Sequence, residues 1–185
     1  MNMDVRQTSL PGCQELIPKV VRDDRGSFAK TFHEPTFLAH GLWIDFKEEY
    51  FSLSRRGVLR GLHFQTPPHE HVKIVYCPQG QVRDVVLDLR VGSPTYGRWE
   101  TVVLDGEKGN MLYIPAGFAH GFHVTSDSAL MMYKVSTVYS PENDKGILWS
   151  SIGFDWGVSA PLVSPRDAAF PPFSQFESPF TYRQQ

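Results

Sequence analysis

Arg60 and His63 stand three residues apart in the stretch Gly57–Gln65, a permanent cation and a titratable imidazole in a segment otherwise rich in Val, Leu and Phe. An imidazole titrates near neutral pH, so His63 has the chemistry of a general base or a metal ligand. The period of a strand sends Arg60 to the face of Val58, Leu62 and Phe64, and His63 to the opposite face with Leu59, Gly61 and Gln65. Both serve one site only if the strand is irregular near Gly61, where glycine permits a bulge. Taken alone, the stretch also reads as a half-buried strand with a core histidine and a surface arginine.

A second spacing bears on the choice. Gly109, Pro115, Gly117 and His120 form Gly-x5-Pro-x-Gly-x2-His, which resembles the second motif of the cupins, double-sheet jelly rolls. Gly57, His63 and Glu70 fit the first cupin motif, but its second histidine position holds Gln65. His63, Glu70 and His120 offer two imidazoles and a carboxylate, a set that holds non-haem iron. Gln65 is a poor ligand for such a metal, and His69 and His71, in a loop after Pro67-Pro68, read as surface residues.

The elements that must position these groups are short strands. Phe46–Ser54, Gly57–Gln65, Val72–Cys77, Val82–Arg90, Arg98–Leu104, Asn110–Ile114, His120–Val124 and Ala129–Tyr139 read as strands separated by Gly/Pro turns. Residues 15–20 form another, marked as an edge by Pro18, and 27–32 another after the turn at Asp23–Gly26; Glu34–Gly41 reads as a short helix. The expected fold is all-β: a cupin jelly roll over about 43–140, with N-terminal strands over 12–33 and a loop-and-helix extension over 141–185 that includes a short helix near Pro165–Ala169. One domain accounts for 185 residues.

Bulk properties exclude some partners. Eighteen basic and 20 acidic residues leave a net charge of −2, so nothing in the bulk draws the chain to nucleic acid or an anionic membrane. No run is long enough to span a bilayer and the first residues lack a signal-peptide core, so a cytoplasmic location is expected. Cys13 and Cys77 have no zinc spacing and read as buried free thiols, with a single disulfide between them as the alternative.

Longer segments carry a closer resemblance. RGVLRGLHFQTPP, HVKIVYC, GQVRDVVLDLRVGSPTYGRW, YIPAGFAHGFHV, YKVSTVYSPENDKGI and FDW, spread in order over roughly 12–170, resemble the dTDP-4-dehydrorhamnose 3,5-epimerase family. The resemblance implies a metal-independent homodimer, without cofactor, that epimerises nucleotide-linked 4-keto-6-deoxy sugars. It implies His63 as base, Asp167 as the carboxylate that orients it, and Tyr133 as acid on the other face of the sugar. Lys73 and His120 then flank the C4 oxygen. Arg60, Arg166 and Tyr139 contact substrate, and Arg25 reaches the neighbouring subunit's site.

The chain departs from the family on the nucleotide side. Glu48 and Tyr50 occupy positions where the family commonly has Gln and Asn, and Lys30 stands where it usually has Glu. These substitutions make a CDP-linked sugar, epimerised at C3 alone, the alternative substrate.

Overall fold

The computed structural model describes residues 3–183. Thirteen strands are given over them: β1 (Met3–Gln7), β2 (Gln14–Pro18), β3 (Val20–Asp23), β4 (Gly26–Ala29), β5 (Glu48–Arg55), β6 (Leu59–Gln65), β7 (Lys73–Gln79), β8 (Gln81–Asp88), β9 (Trp99–Asp105), β10 (Met111–Ile114), β11 (Phe118–Val124), β12 (Ser128–Val135) and β13 (Asp144–Gly146). Two short helices join them, α1 (Glu34–Ala39) and α2 (Pro165–Ala168). A six-stranded sheet has the order β1-β2-β10-β7-β12-β5, and a five-stranded sheet the order β13-β6-β11-β8-β9. The β3–β4 hairpin stands apart from both. This is the expected cupin jelly roll.

Three apolar layers explain why so many strands lack a polar face. Val75, Cys77, Val86, Phe122, Met131 and others fill the space between the sheets. Leu59, Leu62, Phe64, Val85 and Leu87 point outward from the five-stranded sheet and are covered by Ile152, Trp156 and Phe180 of the C-terminal extension. Ile74, Tyr76, Met111 and Tyr113 point outward from the other sheet beneath Phe37 of α1 and Leu42. Period-2 alternation therefore sorts side chains between two cores rather than between core and water. Lys73 falls on the inward parity with Val75 and Cys77, and Tyr133 does so with Ala129 and Met131. Both cysteines are buried and unbridged.

Several expected boundaries move. The strand read over 15–20 divides into the end of β2 and the start of β3. Pro18 does not mark an edge, because β1 pairs on the outer side of β2 and ends its ladder at Pro18. The strand expected over 27–32 stops at Ala29, and the one expected to reach Tyr139 stops at Val135. β13 adds a strand within the C-terminal extension, paired with β6 beside His63.

Candidate active site

The site lies at one end of the space between the sheets, in a cavity of about 280 Å³. His63 enters it from β6. Opposite β6, His120 of β11 pairs with His63 and Phe122 pairs with Arg60, so Gly61 and Leu62 together face the single residue Gly121. This bulge resets the parity. Leu59 and Leu62 both face the outer core, while Arg60 and His63 both line the cavity. Gly61 sits at φ +137, and a Cβ there would lie 2.6 Å from the Gly121 Cα. Only glycine meets both demands.

Asp167 ties His63 to the bulge. It lies in α2, which opens at Ser164-Pro165, where the Ser164 hydroxyl accepts the Asp167 amide at 3.0 Å. One carboxylate oxygen lies 2.9 Å from His63 Nε2, and the other accepts the Gly61 amide at 3.0 Å. Burial pushes the Asp167 pKa up, but the His63 hydrogen bond and charge and the Gly61 amide outweigh it, and the carboxyl sits below its ordinary range. An ionised Asp167 fixes the His63 tautomer with Nε2 as donor and leaves Nδ1 as the basic nitrogen. The imidazole packs edge-on against Phe170, at 5.7 Å between centroids. Gly146, opposite His63 on β13, leaves room for that ring: a Cβ there would lie 2.2 Å from Phe170.

Tyr133 enters from β12, in the other sheet. Its hydroxyl shares a 3.1 Å hydrogen bond with Ser52, and its ring stacks on Tyr50, the residue directly across on β5, with centroids 4.7 Å apart and planes 16° from parallel. Burial raises the pKa of Tyr133, and Tyr50 is pushed up to about 12. Both phenols therefore hold their protons at neutral pH. The His63 imidazole and the Tyr133 phenol thus come from opposite sheets and meet in one cavity.

Lys73 and His120 line the same cavity. Lys73 is buried, and desolvation brings its pKa down to about 8 although Asp144 and Asp84 pull the other way. His120 Nε2 lies 2.7 Å from Asp84 Oδ2, with both groups buried. Burial lowers the histidine's pKa and raises the carboxyl's.

The remaining expected residues divide. Arg60, Arg166, Tyr50 and Tyr139 line the cavity. Arg60 Nε donates to Ser54 Oγ at 3.0 Å, and Arg166 pairs with Asp144 at 2.6 Å. An adjoining cleft on the other side of the bulge carries Arg55 with Arg60 and Arg166. Glu48 lies outside the cavity lining, its carboxylate accepting the Tyr139 amide at 2.8 Å. Lys30 follows β4 and Arg25 is exposed in the hairpin turn, paired with Asp23; neither lines the cavity within one chain.

Asp84, Ser52, Asp144 and His71 belong to the site but were not read from the sequence as such. His71 is a correction: it lines the cavity rather than the surface, because it shares the inward parity of Lys73. The metal set His63, Glu70 and His120 does not form. Glu70 is not among the residues of the cavity that His63 and His120 line. Gln65 uses both ends of its amide, toward Ser140 and His69. Among the described residues, no three His, Cys, Asp or Glu side chains are grouped as a metal requires.

Known proteins resemble this chain over most of its length. The sequence model described as dTDP-4-dehydrorhamnose 3,5-epimerase matches residues 7–175. The dTDP-4-dehydrorhamnose 3,5-epimerase of Shigella flexneri is 44% identical over 168 residues, covering 89% of this chain and 93% of that protein. The crystal structure of the Legionella pneumophila dTDP-6-deoxy-D-glucose-3,5-epimerase in complex with dTDP-4-keto-L-rhamnose superposes with a TM-score of 0.93 at 34% identity, covering 99% of this chain and 100% of that one. The 3'-monoepimerase ChmJ of Streptomyces bikiniensis, in complex with dTDP-quinovose, gives a TM-score of 0.85 at 32% identity, covering 91% and 87%. A match over most of the chain, relatives at this identity and a shared fold lead to one conclusion: the chain belongs to the dTDP-4-dehydrorhamnose 3,5-epimerase family, whose members are sugar epimerases.

Proposed function

We propose that this protein epimerises a dTDP-linked 4-keto-6-deoxyhexose through an enolate. The observation that supports it best is the Asp167–His63 pair facing Tyr133 across one cavity lined by Lys73. A ketone at C4 acidifies the hydrogens at C3 and C5. His63 removes one as a proton, and the C–H electron pair becomes the enolate. Asp167 stabilises the imidazolium that forms. Lys73 and His120 hold the C4 oxygen as it gains charge, often the largest catalytic term. Tyr133 gives its hydroxyl proton to the carbon from the opposite face, which inverts the centre and leaves a phenolate; water then takes the proton from His63 and returns one to Tyr133.

Arg60 and Arg166 suit the diphosphate, because guanidinium forks match its oxygens. Tyr139 and Tyr50 flank the sugar and nucleotide. The assembly is a homodimer in which the β3–β4 hairpin, carrying Arg25 and Lys30, lies near the partner's site. Exposed Phe28 on that hairpin, and exposed Phe51 and Leu53 on the edge strand β5, support such an interface. Glu48 orders Tyr139 through its amide.

The nucleotide is the specific test. The dTDP-, CDP-, GDP- and UDP-4-keto-6-deoxyglucoses are offered in deuterated water, and C3 and C5 are read separately by NMR. Exchange is expected with the dTDP sugar. Exchange with the CDP sugar alone, at C3 only, would instead support the reading drawn from Lys30, Glu48 and Tyr50.

A further inference from the structure

Two phenols line the cavity from the six-stranded sheet, and the proposed mechanism gives a proton to move to one of them. Tyr50 and Tyr133 stand directly across from each other on β5 and β12, in a ladder that runs without a shift from Ser128 to Val135. Ser52 lies two residues on from Tyr50 and so shares its inward face. Each restrains the Tyr133 phenol differently. The Ser52 hydroxyl lies 3.1 Å from the phenol oxygen. That bond places the oxygen but leaves the ring free to turn about it. The Tyr50 ring lies flat on the Tyr133 ring, 4.7 Å away and 16° from parallel, and so fixes its plane. His120 meets the same ring edge-on at 6.4 Å. Tyr50 sits on the edge strand and is 40% exposed, while Tyr133 beneath it is 6% exposed. An aromatic ring this exposed adds little to the core; what it covers is Tyr133.

We propose that Tyr50 is a positioning residue: its stacked ring holds the plane of the Tyr133 phenol, while Ser52 holds the oxygen, so that the phenol proton is aimed at the enolate face opposite His63. The role rests on the proposed 4-keto sugar chemistry. Protonation of carbon is demanding in direction, because the proton must arrive along the axis of the enolate's π system. A donor displaced by about 1 Å costs about 10²-fold in rate. Ser52 acts with Tyr50 in this. For the phenol proton to go to carbon, Ser52 donates in their shared hydrogen bond, and it then faces the phenolate that forms. Abstraction by His63 comes from the other sheet and does not depend on the stack.

The test compares Tyr50→Leu, which keeps apolar bulk without a flat ring, with Tyr50→Phe, which keeps the stack. Each is given dTDP-4-keto-6-deoxyglucose in deuterated water. NMR separates inverted product from substrate that has gained deuterium with its configuration retained, and kcat and KM are taken for each. In Tyr50→Leu the kcat for inversion should fall ~10–10²-fold, with retained-configuration exchange and KM little changed. Tyr50→Phe should restore the wild-type ratio of inversion to exchange. An unchanged ratio in Tyr50→Leu would overturn the role, whether both rates fall together, KM alone rises or nothing moves. Tyr50 would then be a substrate contact or a surface residue. A Tyr50→Phe as impaired as Tyr50→Leu would overturn it too, since the hydroxyl and not the stack would matter. If Tyr50→Leu fails to fold, Tyr50→Thr, a strand former without a ring, takes its place. A wild type that exchanges no 4-keto sugar would overturn the proposed function and this role with it. That failure is told apart because the wild type itself is then silent.

Discussion

Arg60 and His63 line one cavity from the same strand, although a regular strand would turn them to opposite faces. The bulge at Gly61–Leu62 makes this so, and Asp167 holds it from below by accepting the Gly61 amide while it orients the His63 ring. His63, Arg60 and the strand irregularity are thus one construction.

Gly61→Ala should break that construction. The new Cβ would meet the Gly121 backbone, which cannot swing aside, at a φ that L-residues avoid. The expected cost is at least about 1–3 kcal/mol of stability, read as a lower urea midpoint, with activity lost as well. An unchanged midpoint would show that the bulge tolerates a side chain.

Asp167→Asn keeps the shape and removes the charge. The amide cannot accept from both His63 and Gly61, so His63 is left in the wrong tautomer or the Gly61 amide without an acceptor. A triad aspartate exchanged in this way costs about 10⁴ in rate, and solvent exchange should fall by about 10²–10⁴-fold. Exchange at the wild-type rate would leave Asp167 a helix-start residue and no more.

Tyr133→Phe separates the two faces of the sugar. His63 still removes and returns its own proton, so deuterium should enter on the base's face, while net inversion falls by about 10²-fold or more. Equal loss of both would mean that Tyr133 shapes the cavity rather than donating a proton.

Much of this arrangement was legible in the sequence, because it rests on local signals. The Pro115–Gly117 turn, the alternation of Ala129, Met131 and Tyr133, and Ser164-Pro165 ahead of Asp167 each carry their structural meaning within a few residues. Asp84 did not, because β8 is covered on both faces. Hydrophobic alternation cannot reveal the inward face when Val82 and Val86 pack inside and Val85 and Leu87 pack outside. The parity shared with Val82 and Val86 is the signal that was present. His71 was hidden by the two prolines before it, which suggest a surface loop, whereas the segment turns back into β7 within a few residues. β1 is a strand mainly through its pairing with β2 across the loop 8–13.

The lowered Lys73 pKa has two consequences with opposite signs. Stabilising the C4 oxygen needs a charged Lys73, so kcat/KM, which reports the free enzyme, should fall as pH rises through about 8. Stability should move the other way. The folded lysine gives up its proton at about 8 and the unfolded one at its ordinary 10.5, so between those values the unfolded state binds more protons and stability rises with pH. Lys73→Met should remove both trends from pH series of rate and urea midpoint. Their persistence would assign them to another group.

The central claim is that His63 takes a carbon-bound proton from a nucleotide-linked 4-keto sugar. Solvent deuterium incorporation into dTDP-4-keto-6-deoxyglucose, followed by NMR for the wild type and His63→Ala side by side, tests it most directly. Deuterium is expected at C3, C5 or both with the wild type, and at neither carbon above the enzyme-free rate with His63→Ala. Exchange that continues in His63→Ala, or a folded wild type that exchanges no 4-keto sugar, would contradict it.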